Sequence, residues 1–308
     1  MEKLAKCKIV IGTYINDNII LGGPHVAEFE TSDNKFFIKV EQCGYRKISI
    51  KASEDTSVFK LYGVVTKIER MLMIFDGQFL NLENLEFKDS SDTEKSMLQR
   101  VGNNLMHQRL TYFKSADLVS YKVDKLLEFD EVLNADLYDK WKQLLEELDI
   151  AHQMYLYAMG DTKITVDVKC AFLIELAETL VEVLKVYTGS FQKLKPGNGT
   201  SLRECVKALI EEYGKDIFQK EMEVNEKEFL STMINSRVRI MHIKRNQKKK
   251  YFNGNESVLY ILKLNLLYRR ILLDILGVEK RVYVDKLQKC VSRLNRWNDT
   301  LDKLLLRL

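Results

Sequence analysis

Only two prolines, Pro24 and Pro196, interrupt 308 residues, and this scarcity constrains the fold more than any other feature. Proline fixes φ and removes a backbone donor, so a chain almost free of it is built for long, unbroken elements. Glycine is also sparse, at 14 residues. A balance of 46% apolar and 30% charged residues provides a sizeable core and excludes a disordered chain. The length alone favours two domains.

The pattern changes character near residue 91. Residues 1–90 read as a β-rich domain, with Lys8–Ile11, Phe36–Val40, Lys47–Lys51 and Leu61–Ile68 as strands rich in Val, Ile, Phe and Tyr. Turn residues separate them at Gly22-Gly23-Pro24 and Ser32-Asp33-Asn34. Asp76-Gly77 predicts a hairpin between Met71–Phe75 and Gln78–Leu82. Residues 91–162 read as a helical connecting region, and 163–308 as a helical bundle with a C-terminal helix.

Within that bundle, Val166–Tyr187 is apolar on most sides and stops at Gly189, as a central helix would. Ser201 and Glu204 have the spacing of a capping box. Behind them Leu202, Cys205, Val206, Leu209, Ile210 and Tyr213 recur at helical intervals up to Gly214. Further helices are predicted over 225–243 and Glu256–Leu276. Leu287, Val291, Leu294, Trp297, Leu301, Leu304 and Leu308 then follow at steps of three or four, close to a coiled-coil seam, which suits packing on the bundle ahead of self-association. The expected fold class is α+β: a small β-rich N-terminal domain followed by an all-helical bundle.

Charge is unevenly distributed. The net +4 conceals a C-terminal stretch, residues 237–308, with 18 Lys/Arg against 6 Asp/Glu. Clustered cations of this kind favour polyanions such as nucleic-acid backbones. No apolar run approaches the roughly 20 residues a membrane helix needs, and the N-terminus carries no secretory pattern. A cytoplasmic location without membrane association is therefore expected. The five cysteines are scattered, odd in number and without a C-x-x-C pair, and read as free thiols. The four histidines do not cluster with them, so neither a metal site nor a cofactor is expected.

One constellation has the residue types for chemistry. The helix preceding the basic loop ends with Arg237 and His242, with Arg239 between them. Histidine titrates near neutrality and can move a proton, while arginine offers planar, bidentate hydrogen bonds to phosphoryl oxygens. Five residues of regular helix turn through about 500°, which leaves the two side chains about 140° apart. Either the helix loosens before His242 or a second subunit completes the site. Arg239, about 60° from His242, is the alternative partner in a regular helix. The loop residues Lys244, Arg245, Lys248, Lys249 and Lys250, followed by Tyr251 and Phe252, would extend a polyanion track with aromatics beside it. His25, His107 and His152 have no evident partners in the sequence.

On these residues the chain resembles the HEPN ribonucleases, most closely their ApeA-like branch. In that family the third bundle helix ends in arginine, a polar residue, three more residues and histidine; a loop and a long apolar helix follow. Residues 167–187, 201–214, 225–245 and 256–277 occur in that order, and the resemblance spans roughly 164–278. It implies a metal-independent endoribonuclease of phage defence or toxin type, with Arg237 and His242 catalytic. It also implies RNA contacts from Arg239, Lys244, Arg245, Lys248, Lys249 and Lys250, no cofactor, and a homodimer whose motifs face each other. The apolar run Val258–Leu276 predicts a dimer surface there, together with the motif helix. The strand-rich N-terminus is similar to β-rich regions of anti-phage proteins, which implies sensing of a phage or host trigger. The departure from the family pattern is Val238, where a polar residue is usual. Val238 shares an apolar stripe with Leu230, Ile234 and Met241 and is predicted to face the core. That departure favours a second class of function: a catalytically inactive HEPN module that binds RNA or a protein.

Overall fold

The computed structural model describes residues 6–15, 24–77, 79–88, 95–110, 125–160, 163–242 and 248–305. The chain divides into two compact units, Met1–Ser115 with Leu127–Leu144, and Ala116–Leu126 with Leu145–Leu308.

The first unit is organised by a five-stranded antiparallel sheet. Its strands are β1 (Lys6–Ile15), β2 (His25–Glu30), β3 (Phe36–Cys43), β4 (Tyr45–Ser57) and β5 (Asn81–Lys88), in the order β2-β3-β4-β1-β5. Alternate residues of β3 and β4 are buried, including Ile38, Val40, Ile48 and Ile50, so one face of the sheet carries the core. Asn34, at φ 51°, turns the chain between β2 and β3 where the sequence predicts a turn.

The segment after β4 departs from the sequence reading. Leu61–Ile68 and Met71–Phe75 are not strands but parts of one helix, α1 (Val58–Asp76). Its buried residues include Val58, Leu61, Val65, Ile68, Leu72 and Phe75 at steps of three and four, and Val64, Glu69 and the rest of Met71–Asp76 are buried beside them. Helical periodicity therefore overrides the β-propensity of Val64 and Val65. Asp76-Gly77 closes no hairpin. Gly77 sits at φ 75° as the left-handed cap of α1, its N–H donating to the Met73 carbonyl at 2.7 Å. Asp76 is buried and pairs with Arg46 of β4, which also bonds Gln42. Helix α2 (Lys95–Leu110) lies against β5, and a Cβ on its Gly102 would sit 2.8 Å from the Leu85 carbonyl oxygen. This close approach requires glycine. Trp141 completes the unit, donating from Nε1 to the Lys67 carbonyl at 2.8 Å.

The second unit is helical. Helix α3 (Ala135–Met159) enters it at residue 145, followed by α4 (Val166–Thr188), α5 (Leu202–Tyr213), α6 (Gln219–Met241), α7 (Gly254–Ile275) and α8 (Lys280–Leu305). The Ser201–Glu204 capping box is present, and Gly189 ends α4 at φ 70°, as the sequence predicts. Helix α6 is broken at Asn225, whose Oδ1 accepts from the Glu228 N–H at 3.1 Å and starts the long segment that the sequence pattern marks out. Helix α8 packs on α7 through Tyr283, Leu287, Cys290, Val291 and Leu294.

Helix α7 is the centre of the bundle and packs on α4, α5 and α8. Every residue from Leu259 to Leu273 is buried within a single chain. The apolar run predicted as a dimer surface is therefore already covered, since a helix apolar on all sides is satisfied only in an interior. Burial also encloses polar side chains. Lys263 pairs with Glu221, Arg270 with Asp216, the Tyr155 hydroxyl donates to Asn265 at 2.8 Å, and His152 bonds the Tyr268 hydroxyl at 3.0 Å.

Candidate active site

The long segment of α6 runs from its Asn225 cap to Met241, and His242 follows as the C-cap at φ −111° and ψ 5°. Its N–H still bonds the Val238 carbonyl at 3.0 Å, but the backbone has left helical geometry. This loosening brings His242 Nε2 to 3.1 Å from Arg237 Nη1, across the gap that a regular helix would impose. Of the two solutions open to the sequence, a single chain adopts the first. Arginine only donates, so Nε2 is the acceptor in this contact.

Arg237 is held from the opposite edge. Glu175, on α4, accepts from its Nε and, at 2.6 Å, from its Nη2. The Glu175 bonds, and more weakly the Glu178 charge, raise the arginine pKa further and fix it as a cation. The guanidinium is 18% exposed and the carboxylate 27%, so the pair is shielded without being sealed. His242 is exposed. Sequence reasoning missed Glu175. A signal was there in Glu175 and Glu178, the charged residues within the apolar middle stretch Ala171–Val181 of α4, because half-buried carboxylates need cationic partners.

Other predicted residues are placed differently. Arg239 is not the partner of His242; its guanidinium lies 5.2 Å from the centroid of the Tyr251 ring. Two residues of helix separate it from Arg237 by about 200°, on the far flank of α6. Residues 250–252 run along that flank. Asn235 donates to the Lys250 carbonyl at 3.5 Å, the Phe252 N–H donates to Ser236 Oγ at 2.8 Å, and Lys250 pairs with Glu228. Lys248, Lys249 and Lys250 are exposed; Lys244 and Arg245 lie outside the described residues. Val238 is half-buried, as is Ile234, while Met241 is exposed, so the stripe that begins at buried Leu230 leaves the core as α6 proceeds. The C-terminal charge surplus also shrinks at the surface, because Lys263, Arg269 and Arg270 are all buried.

His25 and His152 both find partners. His152 is in the helical core, and in the first unit His25 Nδ1 bonds Asp130 at 2.8 Å with Glu128 3.8 Å from Nε2. Among the described residues His25, Glu128 and Asp130 bring possible metal-ligand atoms within 4.8 Å of one another. Both ring nitrogens there already face a carboxylate. No helix among the described residues is long and apolar enough to cross a membrane.

The helical unit is thus a bundle that presents an arginine–histidine pair where one of its helices ends. Residues 173–282 match the family model of the Apea-like HEPN domain, a span from α4 into α8 that includes Glu175, Arg237 and His242. The helical unit thus holds an Apea-like HEPN domain, and the match covers a little over a third of the chain. No curated protein and no solved structure matches the chain.

Proposed function

We propose that this protein is an endoribonuclease of HEPN type, cleaving RNA without a metal and acting in phage defence or as a toxin. The observation that carries this reading is the 3.1 Å approach of Arg237 Nη1 to His242 Nε2 within a domain matched to a nuclease- and defence-type family. In the reaction the ribose 2′-oxygen forms a bond to phosphorus while the P–O5′ bond breaks. His242 Nε2 takes the 2′-hydroxyl proton, Arg237 stabilises the charge that grows on the phosphoryl oxygens, and the departing 5′-oxygen takes a proton from water. The products carry 2′,3′-cyclic phosphate and 5′-hydroxyl ends. Neither step calls on a metal, since imidazole supplies the base and guanidinium the fixed cation.

Lys248, Lys249 and Lys250 would hold the backbone on the flank of α6, with Arg239 and Tyr251 as a stacked platform. Neither sequence argument for a second subunit now requires one: α7 is covered in the monomer and the two motif side chains meet in one chain. The dimer therefore rests on the family resemblance. The second reading, a catalytically inactive RNA- or protein-binding module, is favoured by Val238 in the motif. His242→Ala separates the two. In EDTA the parent protein should degrade RNA and the variant, at equal soluble yield and helicity, should not; equal degradation by both would end the catalytic reading.

A further inference from the structure

We propose that Glu175 is the positioning residue of this site, selecting which edge of Arg237 meets the phosphate; the proposal rests on the ribonuclease reading above. A guanidinium has two hydrogen-bonding edges, one formed by Nε and Nη2 and one by Nη1 and Nη2. Glu175 occupies the first with both carboxylate oxygens. The edge left over points its Nη1 at His242. A phosphate binding bidentately can therefore take only the edge beside the base.

This geometry gives the site an order of events. In the free protein Nη1 donates to His242 Nε2 and so covers the lone pair that the reaction needs. A phosphoryl oxygen on Nη1 draws that donor away and leaves Nε2 to accept the 2′-hydroxyl proton. The base is released by the phosphate it is to act beside. Glu175 makes this exchange possible because the arginine, anchored through its other edge, does not swing away with the departing bond. α4, an apolar helix buried at Leu173, Ile174, Leu176 and Ala177 on either side of Glu175, holds the carboxylate rigidly.

Glu175→Gln keeps the shape but replaces one acceptor by a donor, so only half of the fork can form. Because misplacement of a reacting group by about 1 Å can cost about 10²-fold, kcat should fall by about that factor. KM should stay level or drop, since a negative charge near the phosphate is removed. Unchanged kcat per folded molecule with a lowered Tm would show a purely structural salt bridge and overturn the proposal. A rise in kcat/KM would also overturn it, identifying Glu175 as a competitor for the arginine. The fork can also be read without turnover. In 15N NMR of the full chain, the Arg237 Nε–H signal, assigned by its loss in Arg237→Lys, should be protected from exchange in the parent and unprotected in Glu175→Ala, which removes both acceptors. Parent protein that cleaves no RNA yet shows this protection would fail the ribonuclease reading while the anchoring stands; an unprotected signal in the parent would refute the anchoring itself.

Discussion

Lys263 should be among the most sensitive surface-remote positions in the helical unit. Its side chain is fully buried on α7, and its Nζ lies 2.5 Å from Oε1 of Glu221, itself 6% exposed. The ammonium also sits 5.7 Å from the Phe218 ring centroid. Lys263→Met keeps the apolar stem and removes the charge, leaving a carboxylate in the interior without its cation. Breaking a buried pair in this way costs about 3–5 kcal/mol, against about 0–1 kcal/mol for an exposed one. Replacing both partners, Lys263→Met with Glu221→Leu, removes the stranded charge as well and should recover most of the loss, because a buried pair is near break-even against apolar residues of similar size. Urea unfolding followed by far-UV circular dichroism measures both quantities. A single-variant loss below about 1 kcal/mol, or a double variant no better than Lys263→Met, would refute the reasoning.

Two further outcomes follow from the surface and the thiols. Lys248→Ala, Lys249→Ala and Lys250→Ala together should reduce the log–log salt slope of RNA binding by about two, at about 0.7 per phosphate contact on a single strand; an unchanged slope in a filter-binding titration would show that the loop only meets solvent. Cys43 is exposed while Cys7, Cys170, Cys205 and Cys290 are buried, and burial with the nearby Glu178 and Glu204 charges pushes the Cys205 thiol up to about 11. A raised thiol pKa favours the neutral form, so at pH 8 Cys205 is about one part in a thousand thiolate. Ellman's reagent should titrate one thiol in the native protein and five after denaturation, and a second fast native thiol would contradict the burial of Cys7, Cys170, Cys205 or Cys290.

Local signals were read well where local physics decides. The Ser201 cap, the Gly189 stop and the α5 stripe ending at Tyr213 depend on neighbours within a few residues, and all are present. The α+β class was equally legible, from the change of pattern along the chain. Residues 58–76 were misread because α1 is buried around much of its circumference, which fills in the gaps that mark a helix and leaves β-branched residues to suggest strands. The partial legibility of the site has a different cause. Arg237 and His242 announced themselves by type and spacing, but whether they meet depends on φ at one residue, His242, and on the torsions of the two side chains. Glu175 precedes its arginine by 62 residues, and only the packing of α4 on α6 brings them together. Similarly, no charge count distinguishes Lys263 and Arg269, buried inside the bundle, from the lysines of the loop.

If His242 and Arg237 direct the 2′-hydroxyl of RNA at its own phosphate, the chemistry of the cut ends records it. RNA digested by the parent protein in EDTA, then mapped by end-specific labelling, should carry 2′,3′-cyclic phosphate and 5′-hydroxyl termini, with no such ends from His242→Ala. Termini bearing 3′-hydroxyl and 5′-phosphate, or cyclic ends persisting without His242, would contradict the account.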